Sequence, residues 1–170
     1  VDMTRSVLYV LLPLSIIVAI LLVSQGVVQN LSPYVGAISF EGKRDLIPMG
    51  PAASQVAIKQ LGTNGGGFFG PNSAYPLENP TPLSNIVELV SMLLIPAAFP
   101  FLFGRMTGRK RQGHVLFAVM LALFALGVGA SMASERAWGS LEGKELRFGT
   151  GLSAFWSAAI SWGVVPCATN

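Results

Sequence analysis

Residues 62–70 read GTNGGGFFG, five glycines in nine positions. Glycine loses more backbone freedom on ordering than any other residue, so a cluster needs a physical reason. A phosphate cradle of the G-x-x-x-x-G-K-[ST] type needs a lysine and a hydroxyl after its second glycine. Phe68, Phe69 and Gly70 follow Gly67 instead, and the residues before Gly62 read as a helix rather than the strand of a dinucleotide fingerprint. A slack hinge explains the glycines but not the two phenylalanines, which would anchor the loop in an apolar wall. The remaining chemistry is cation binding by backbone carbonyl oxygens that replace a hydration shell, as in potassium filters built from TVGYG-like loops. Aiming successive carbonyls at one axis demands unusual φ and ψ, which Gly65, Gly66 and Gly67 supply. The candidate cation ligands are thus the backbone carbonyls of Gly62, Thr63, Asn64, Gly65, Gly66 and Gly67.

Such a loop needs apolar supports, and the composition supplies them. The chain has 170 residues, 52% hydrophobic and 11% charged, with mean hydropathy +0.59, against about 25% charged in soluble domains. An integral, all-α membrane protein follows. Its net charge of +3 is concentrated at Arg105, Arg109, Lys110 and Arg111 between two apolar runs, a topology signal rather than a nucleic-acid patch. The single cysteine, Cys167, excludes an intrachain disulfide, and the lone His114 reads as solvated or at headgroup level.

Three spans are expected, over 6–28, 86–103 and 115–133, with a weaker stretch at 148–161 read as re-entrant or partly buried. The first run carries no A-x-A-like cleavage site and is read as a span, bent at Pro13, not a signal peptide; Val1 in first place implies that the natural start lies upstream. Between the first two spans, Pro51 fits a first helical position. A helix over 51–61 then runs to Gly62, about half a membrane thickness long. The order span, half-helix, glycine loop, span is that of a pore repeat; an amphipathic helix on the outer surface is the plainer alternative. Residues 1–106 form one such repeat, and 107–161 begin the next. A faint echo, Glu41-Gly42-Lys43 and Glu142-Gly143-Lys144, supports the repetition.

Further residues have two readings each. Lys59 complements the dipole of the half-helix or faces an intersubunit or vestibule acid. Glu88, about two turns inside its span, is a candidate vestibule acid or a carboxylate solvated at headgroup level. Pro96 and Pro100 lie four apart and each removes a backbone donor. They predict a kink or short unwound stretch between Leu94 and Phe101, a gate facing the ion path, or a gentle bend facing lipid. Thr81-Pro82 reads as an N-cap and first helical position, and Trp138, Trp156 and Trp162 as interfacial anchors.

The run Pro48–Phe69, PMGPAASQVAIKQLGTNGGGFF, resembles the second filter region of the potassium-transporting A subunits of bacterial Kdp ATPases. Similar matches are Gln25-Gly26-Val27, Gln29-Asn30-Leu31, Glu78-Asn79-Pro80-Thr81, Leu94-Ile95-Pro96, Arg111-Gln112-Gly113, Glu142-Gly143-Lys144-Glu145 and Arg147-Phe148-Gly149, so that roughly 4–159 is covered. The resemblance implies four span–pore-helix–span repeats around one pathway, in the potassium channel and Trk-like superfamily. It implies high-affinity potassium uptake across the bacterial inner membrane. The partners implied are a catalytic B subunit, a C subunit and a small F subunit. ATP hydrolysis would belong to the B subunit, consistent with the absence of Asp-Lys-Thr-Gly here, and no cofactor besides the potassium ion is expected. One repeat cannot encircle an ion, so the chain reads as a fragment: the second repeat, the start of the third, and a tail over 162–170 that departs from the family pattern, as ISWGVVPCATN from Ile160 already does. A Trk- or Ktr-like transporter without an ATPase partner and a truncated, non-functional product are the alternatives.

The four uncompensated cations place residues 104–114 in the cytoplasm. A Thr107→Cys variant is expected to be shielded from impermeant thiol reagents added to intact cells; ready labelling from outside would overturn this topology.

Overall fold

The computed structural model describes residues 1–38, 42, 44–138 and 144–162. The fold is built from helices with one small hairpin: α1 (Asp2–Ser24), β1 (Val35–Ile38), β2 (Arg44–Ile47), α2 (Ala52–Gly62), α3 (Pro82–Met106), α4 (Lys110–Trp138) and α5 (Lys144–Trp162). The helices α1, α3 and α4 are long and apolar enough to cross a membrane. At 1.5 Å per residue the 23 residues of α1 exceed a hydrocarbon core of about 30 Å. Their outward surfaces suit hydrocarbon rather than water: Tyr9, Ile16, Ile17 and Ile20 on α1 and Leu121, Leu123 and Leu126 on α4 are exposed.

Pro13 does not end α1. It has no N–H to offer the Tyr9 carbonyl, and the turn just upstream, Val7–Leu11, widens to π-helical spacing, a common accommodation. The helix stops at Ser24, short of the expected residue 28, because Gly26 turns left-handed at φ 96°. The Val27 N–H then reaches back to the Leu22 carbonyl (3.1 Å) and that of Gly26 to Val23 (3.0 Å), the two bonds of a Schellman cap. The freed strand runs down to cap α2. Val28 accepts the Ala53 N–H (2.9 Å), and the Gln29 side chain accepts that of Ser54 (3.0 Å).

The loop expected to hold only a half-helix also holds the hairpin, antiparallel with Val35 opposite Ile47 and Ile38 opposite Arg44. Of the echo before the half-helix, Glu41 and Lys43 lie outside the described residues, as do Glu142 and Gly143 of its counterpart and the tail over 163–170.

Helix α3 begins at a capping box. Thr81 Oγ1 accepts the Ser84 N–H (3.0 Å), Ser84 Oγ accepts the Thr81 N–H (3.0 Å), and Pro82 follows the cap. The expected break between Leu94 and Phe101 is absent: α3 is continuous from Pro82 to Met106 with Pro96 and Pro100 inside it. An interior proline costs about 3 kcal/mol in an isolated helix, but both prolines here are buried, on one stripe with Met92 and Gly104. Packing on that stripe keeps the helix continuous, as neighbouring helices do for prolines in membrane spans. The gate assigned to these prolines falls with the break.

Two apolar cores result. Val18 and Leu22 of α1 and Val27 pack on Ala52, Ala53, Val56, Ala57 and Leu61 of α2. Leu89 and Met92 of α3 meet Phe124 of α4 and Trp156, Ala158 and Ala159 of α5. Each shorter helix therefore lies against a long apolar one, with α3 between the pairs. The helix α5 is interrupted at Gly149, which has φ 80° and ψ 162°. Helices α3 and α4 join by a tight turn, in which Gly108 is left-handed at φ 69°. They cross where Gly104 faces Gly113, and a methyl carbon on Gly113 would stand 2.5 Å from the Pro100 carbonyl oxygen. Gly113→Ala is therefore expected to force the helices apart and destabilise the assembled protein by about 1–3 kcal/mol, read as a lowered midpoint of thermal unfolding in detergent.

Candidate functional site

The glycine loop leaves the C-terminus of α2, the partially negative end of that helix. Thr63 makes the exit in the left-handed region, at φ 50° and ψ 29°. A β-branched residue is an outlier there, at a cost of order 1–3 kcal/mol. Gly65 and Gly66 continue left-handed at φ 71° and 77°. At Gly67 the constraint is space: an added methyl carbon would collide with the Gly70 carbonyl oxygen and lie 3.0 Å from Lys59 Nζ. Gly62 differs, since its added carbon would meet only Asn64 Oδ1 at an ordinary 3.6 Å. Among the described residues, no hydrogen bond ends on the carbonyls of Thr63, Asn64, Gly65, Gly66 or Gly67, so these oxygens are free to take a cation.

The two phenylalanines anchor the loop as expected. The Phe68 ring sits so close to Gly50 that a methyl carbon there would be 2.5 Å from Cζ. Phe69 stacks on Tyr75 with centroids 5.0 Å apart and meets Phe68 edge-on at 4.9 Å.

Behind the loop lies a buried polar layer that the sequence reading missed. Glu78, fully buried, accepts the Phe69 N–H through Oε1 (2.8 Å) and pairs with Lys59 through Oε2 (3.3 Å). Lys59 is 5% exposed, and the acid it meets is a buried one of its own chain, neither an intersubunit nor a vestibule acid. Gln60 Nε2 donates to Ser73 Oγ (3.2 Å) and to Glu88 Oε2 (2.7 Å). Glu88 is 0% exposed. Both of its expected settings, an open vestibule and the headgroup layer, are corrected: it reads as an internal acid that fastens α3 to α2. Asn79, Ser84 and Asn85 continue the layer, with Ser84 Oγ donating to Asn79 Oδ1 (2.6 Å) and Asn79 Nδ2 to Asn85 Oδ1 (2.8 Å).

The start of α5 reaches into the same layer. Arg147 donates to the Asn79 carbonyl (2.6 Å) and to that of Ala74. Lys144 Nζ stands 2.9 Å from the centroid of Trp156. That tryptophan is 3% exposed and so is a core residue, not an interfacial anchor. Trp138 and Trp162 have side chains outside the described residues. Burial pushes the Lys144 ammonium down to about 6, against the opposing pull of Glu88. Burial also lowers Arg147, and Glu88 again acts upward. His114 is exposed, with its ring edge-on to Phe101.

A signal for the missed pair was present. Between Leu46 and Val87 the sequence holds one cation, Lys59, and one anion, Glu78. A lone pair of opposite charges in so apolar a stretch has reason to meet, since a buried charge needs a partner. Nothing comparable marked Gln60 or Ser73.

What the arrangement offers is an irregular backbone with unengaged carbonyls, held from behind by aromatic rings and a buried ion pair. Gly67→Ala is expected to abolish potassium-stimulated activity of the complete assembly, while Gly36→Ala, where an added methyl carbon meets nothing within 4 Å, leaves it near the parent level. Equal tolerance of both would show that the loop is not held as described.

The family description "Potassium-transporting ATPase A subunit" matches residues 1–167. A potassium-transporting ATPase potassium-binding subunit of Sorangium cellulosum is 50% identical over 94% of this chain and 32% of its own length. The protein of the same name from Pseudomonas syringae pv. tomato is 51% identical over 93% of this chain and 30% of its own. That of Listeria monocytogenes serotype 4b is 50% identical over 93% and 30%. The chain thus spans about a third of the length of these relatives. With a match across nearly all of its residues, it belongs to the potassium-transporting ATPase A subunit family.

Proposed function

We propose that this chain is part of the potassium-binding and translocating subunit of an ATP-driven potassium uptake pump. In this reading the backbone carbonyls of Gly62–Gly67 form one wall of the ion filter. The carrying observation is the left-handed turn at Thr63, Gly65 and Gly66 at the end of α2. Strain of that kind, placed on a β-branched residue, persists where the surroundings impose it, and it clusters at functional sites. Non-helical backbone at membrane depth is tolerated only against protein or a watery path, and the ordinary role of such backbone in a cation pathway is dehydration of the ion.

Residues 1–106 are then one span–pore-helix–filter–span repeat, with α2 as its pore helix. Residues 107–161 open the next repeat, with α4 as a span and α5 as its pore helix. The pairing of each short helix with a long apolar one supports this reading. One repeat supplies one side of a ring, so the working filter needs the other repeats of the full subunit. ATP hydrolysis falls to a separate catalytic B subunit, accompanied by C and F subunits, in the bacterial inner membrane with residues 104–114 on the cytoplasmic side.

In a full-length subunit carrying these residues and assembled with its partners, Gly65→Asp is expected to raise the potassium concentration for half-maximal uptake by roughly tenfold or more, since disturbing one contact by about 1.4 kcal/mol gives that factor. The added side chain crowds a left-handed position and brings a carboxylate to the ion. Unchanged uptake at limiting potassium would sink the filter assignment.

A further inference from the structure

We infer that the Lys59–Glu78 ion pair is a positioning device for the filter and sets its discrimination between potassium and its larger congener rubidium. The inference rests on the filter reading above. The two carboxylate oxygens of Glu78 are divided between two tasks. Oε2 holds Lys59, which comes from the helix leading into the loop. Oε1 holds the N–H of Phe69, two residues beyond the last filter glycine. One side chain therefore ties the entrance of the loop to its exit.

Gly67 lies inside this tie. The Lys59 ammonium would be 3.0 Å from a methyl carbon on Gly67, and the Gly70 carbonyl closes the other side. The last filter glycine is thus boxed by an ammonium and a carbonyl oxygen, and neither can shift without disturbing Glu78 or the turn after it. Glycine backbone has little stiffness of its own, so the separation of its carbonyls must be imposed from outside. Charge-assisted hydrogen bonds are stronger than neutral ones; Glu78 makes one of 2.8 Å to the Phe69 N–H and a longer one of 3.3 Å to Lys59.

Stability alone does not account for the pair. Both partners are buried, and replacing a buried ion pair by packed apolar side chains is often neutral or stabilising. A buried pair can be kept instead for the one geometry it specifies. The pair also serves the electrostatics of the pathway. An uncompensated ammonium beside a potassium site would repel the ion, and Glu78 cancels that field at 3.3 Å.

The test uses the full-length subunit in its complete complex, with potassium and rubidium as the probes and ion-stimulated ATPase activity as the readout. Glu78→Gln, Lys59→Gln and the double variant are compared with the parent. The expected result is a drop of roughly tenfold in the ratio of apparent affinities, potassium over rubidium, in each single variant. The double is expected to be no worse than the worse single, because coupled residues are not additive. The double removes both charges of the pair together, so it carries the test if a single variant does not assemble. A role in folding alone would lower yield and thermal stability but leave the ratio at its parent value, and that outcome in the assembled variants overturns the proposal. Gly65→Asp, run in parallel, separates the two failures. If it alters affinity while the Lys59 and Glu78 variants keep the parent ratio, only the positioning role falls; if it changes nothing, the filter reading falls and this inference with it.

Discussion

A hydrogen-bonding carbonyl taken out of water must find a partner, and helices meet that demand along most of the described residues. In the segment Thr63–Gly67 the backbone leaves the helix and its carbonyl oxygens bond to no other described residue. Everything around the segment follows from keeping it in that state. Helix α2 is pinned at its start by Val28 and Gln29 and buried against α1. The aromatic residues beyond the loop are stacked in place, and the carboxylate of Glu78 holds the backbone just after it. An open polar backbone is affordable because the chain behind it is so heavily fastened.

Polar groups do that fastening in a protein otherwise dominated by apolar contact. Lys59, Gln60, Ser73, Glu78, Asn79, Ser84, Asn85 and Glu88 are all buried, in a layer behind the loop and at the start of α3. In low-dielectric surroundings such groups are costly when unpaired and strong when paired. A layer of them defines one arrangement more sharply than interchangeable aliphatic side chains would. The apolar cores to either side resist separation of the helices, and the polar layer fixes their register.

The sequence was most readable where a local rule acts by itself. Thr81-Pro82 announced a cap, and Thr81 and Ser84 make one. The three long apolar runs announced helices of spanning length, and the glycine cluster announced unusual backbone, found at Gly65 and Gly66. Legibility failed where the outcome depended on what packs alongside. Pro96 and Pro100 carry a strong local signal to break a helix, yet tertiary packing overrides it. Glu88 sat at a depth that reads as a membrane surface, but Gln60, 28 residues earlier, takes it inside. The four-residue strands at Val35 and Arg44 were too short to carry a readable alternation. Thr63 shows a subtler limit, for the glycines drew attention while the first left-handed turn fell to a β-branched residue beside them.

Arg147 gives the architecture a direction in time. Its guanidinium grips the Asn79 and Ala74 carbonyls across 68 and 73 residues of chain, and between them the whole of α3 and α4 must be threaded. A ribosome delivers the chain from its N-terminus at about 5–20 residues per second, so the loop beyond the glycines emerges several seconds before the arginine that grips it. During that interval the two carbonyls lack their final partner, and the segment has only its own local bonds to hold it. The nascent protein thus passes through a stage in which the segment after the glycine loop is made but not yet fastened, and the arrival of α5 completes the fastening.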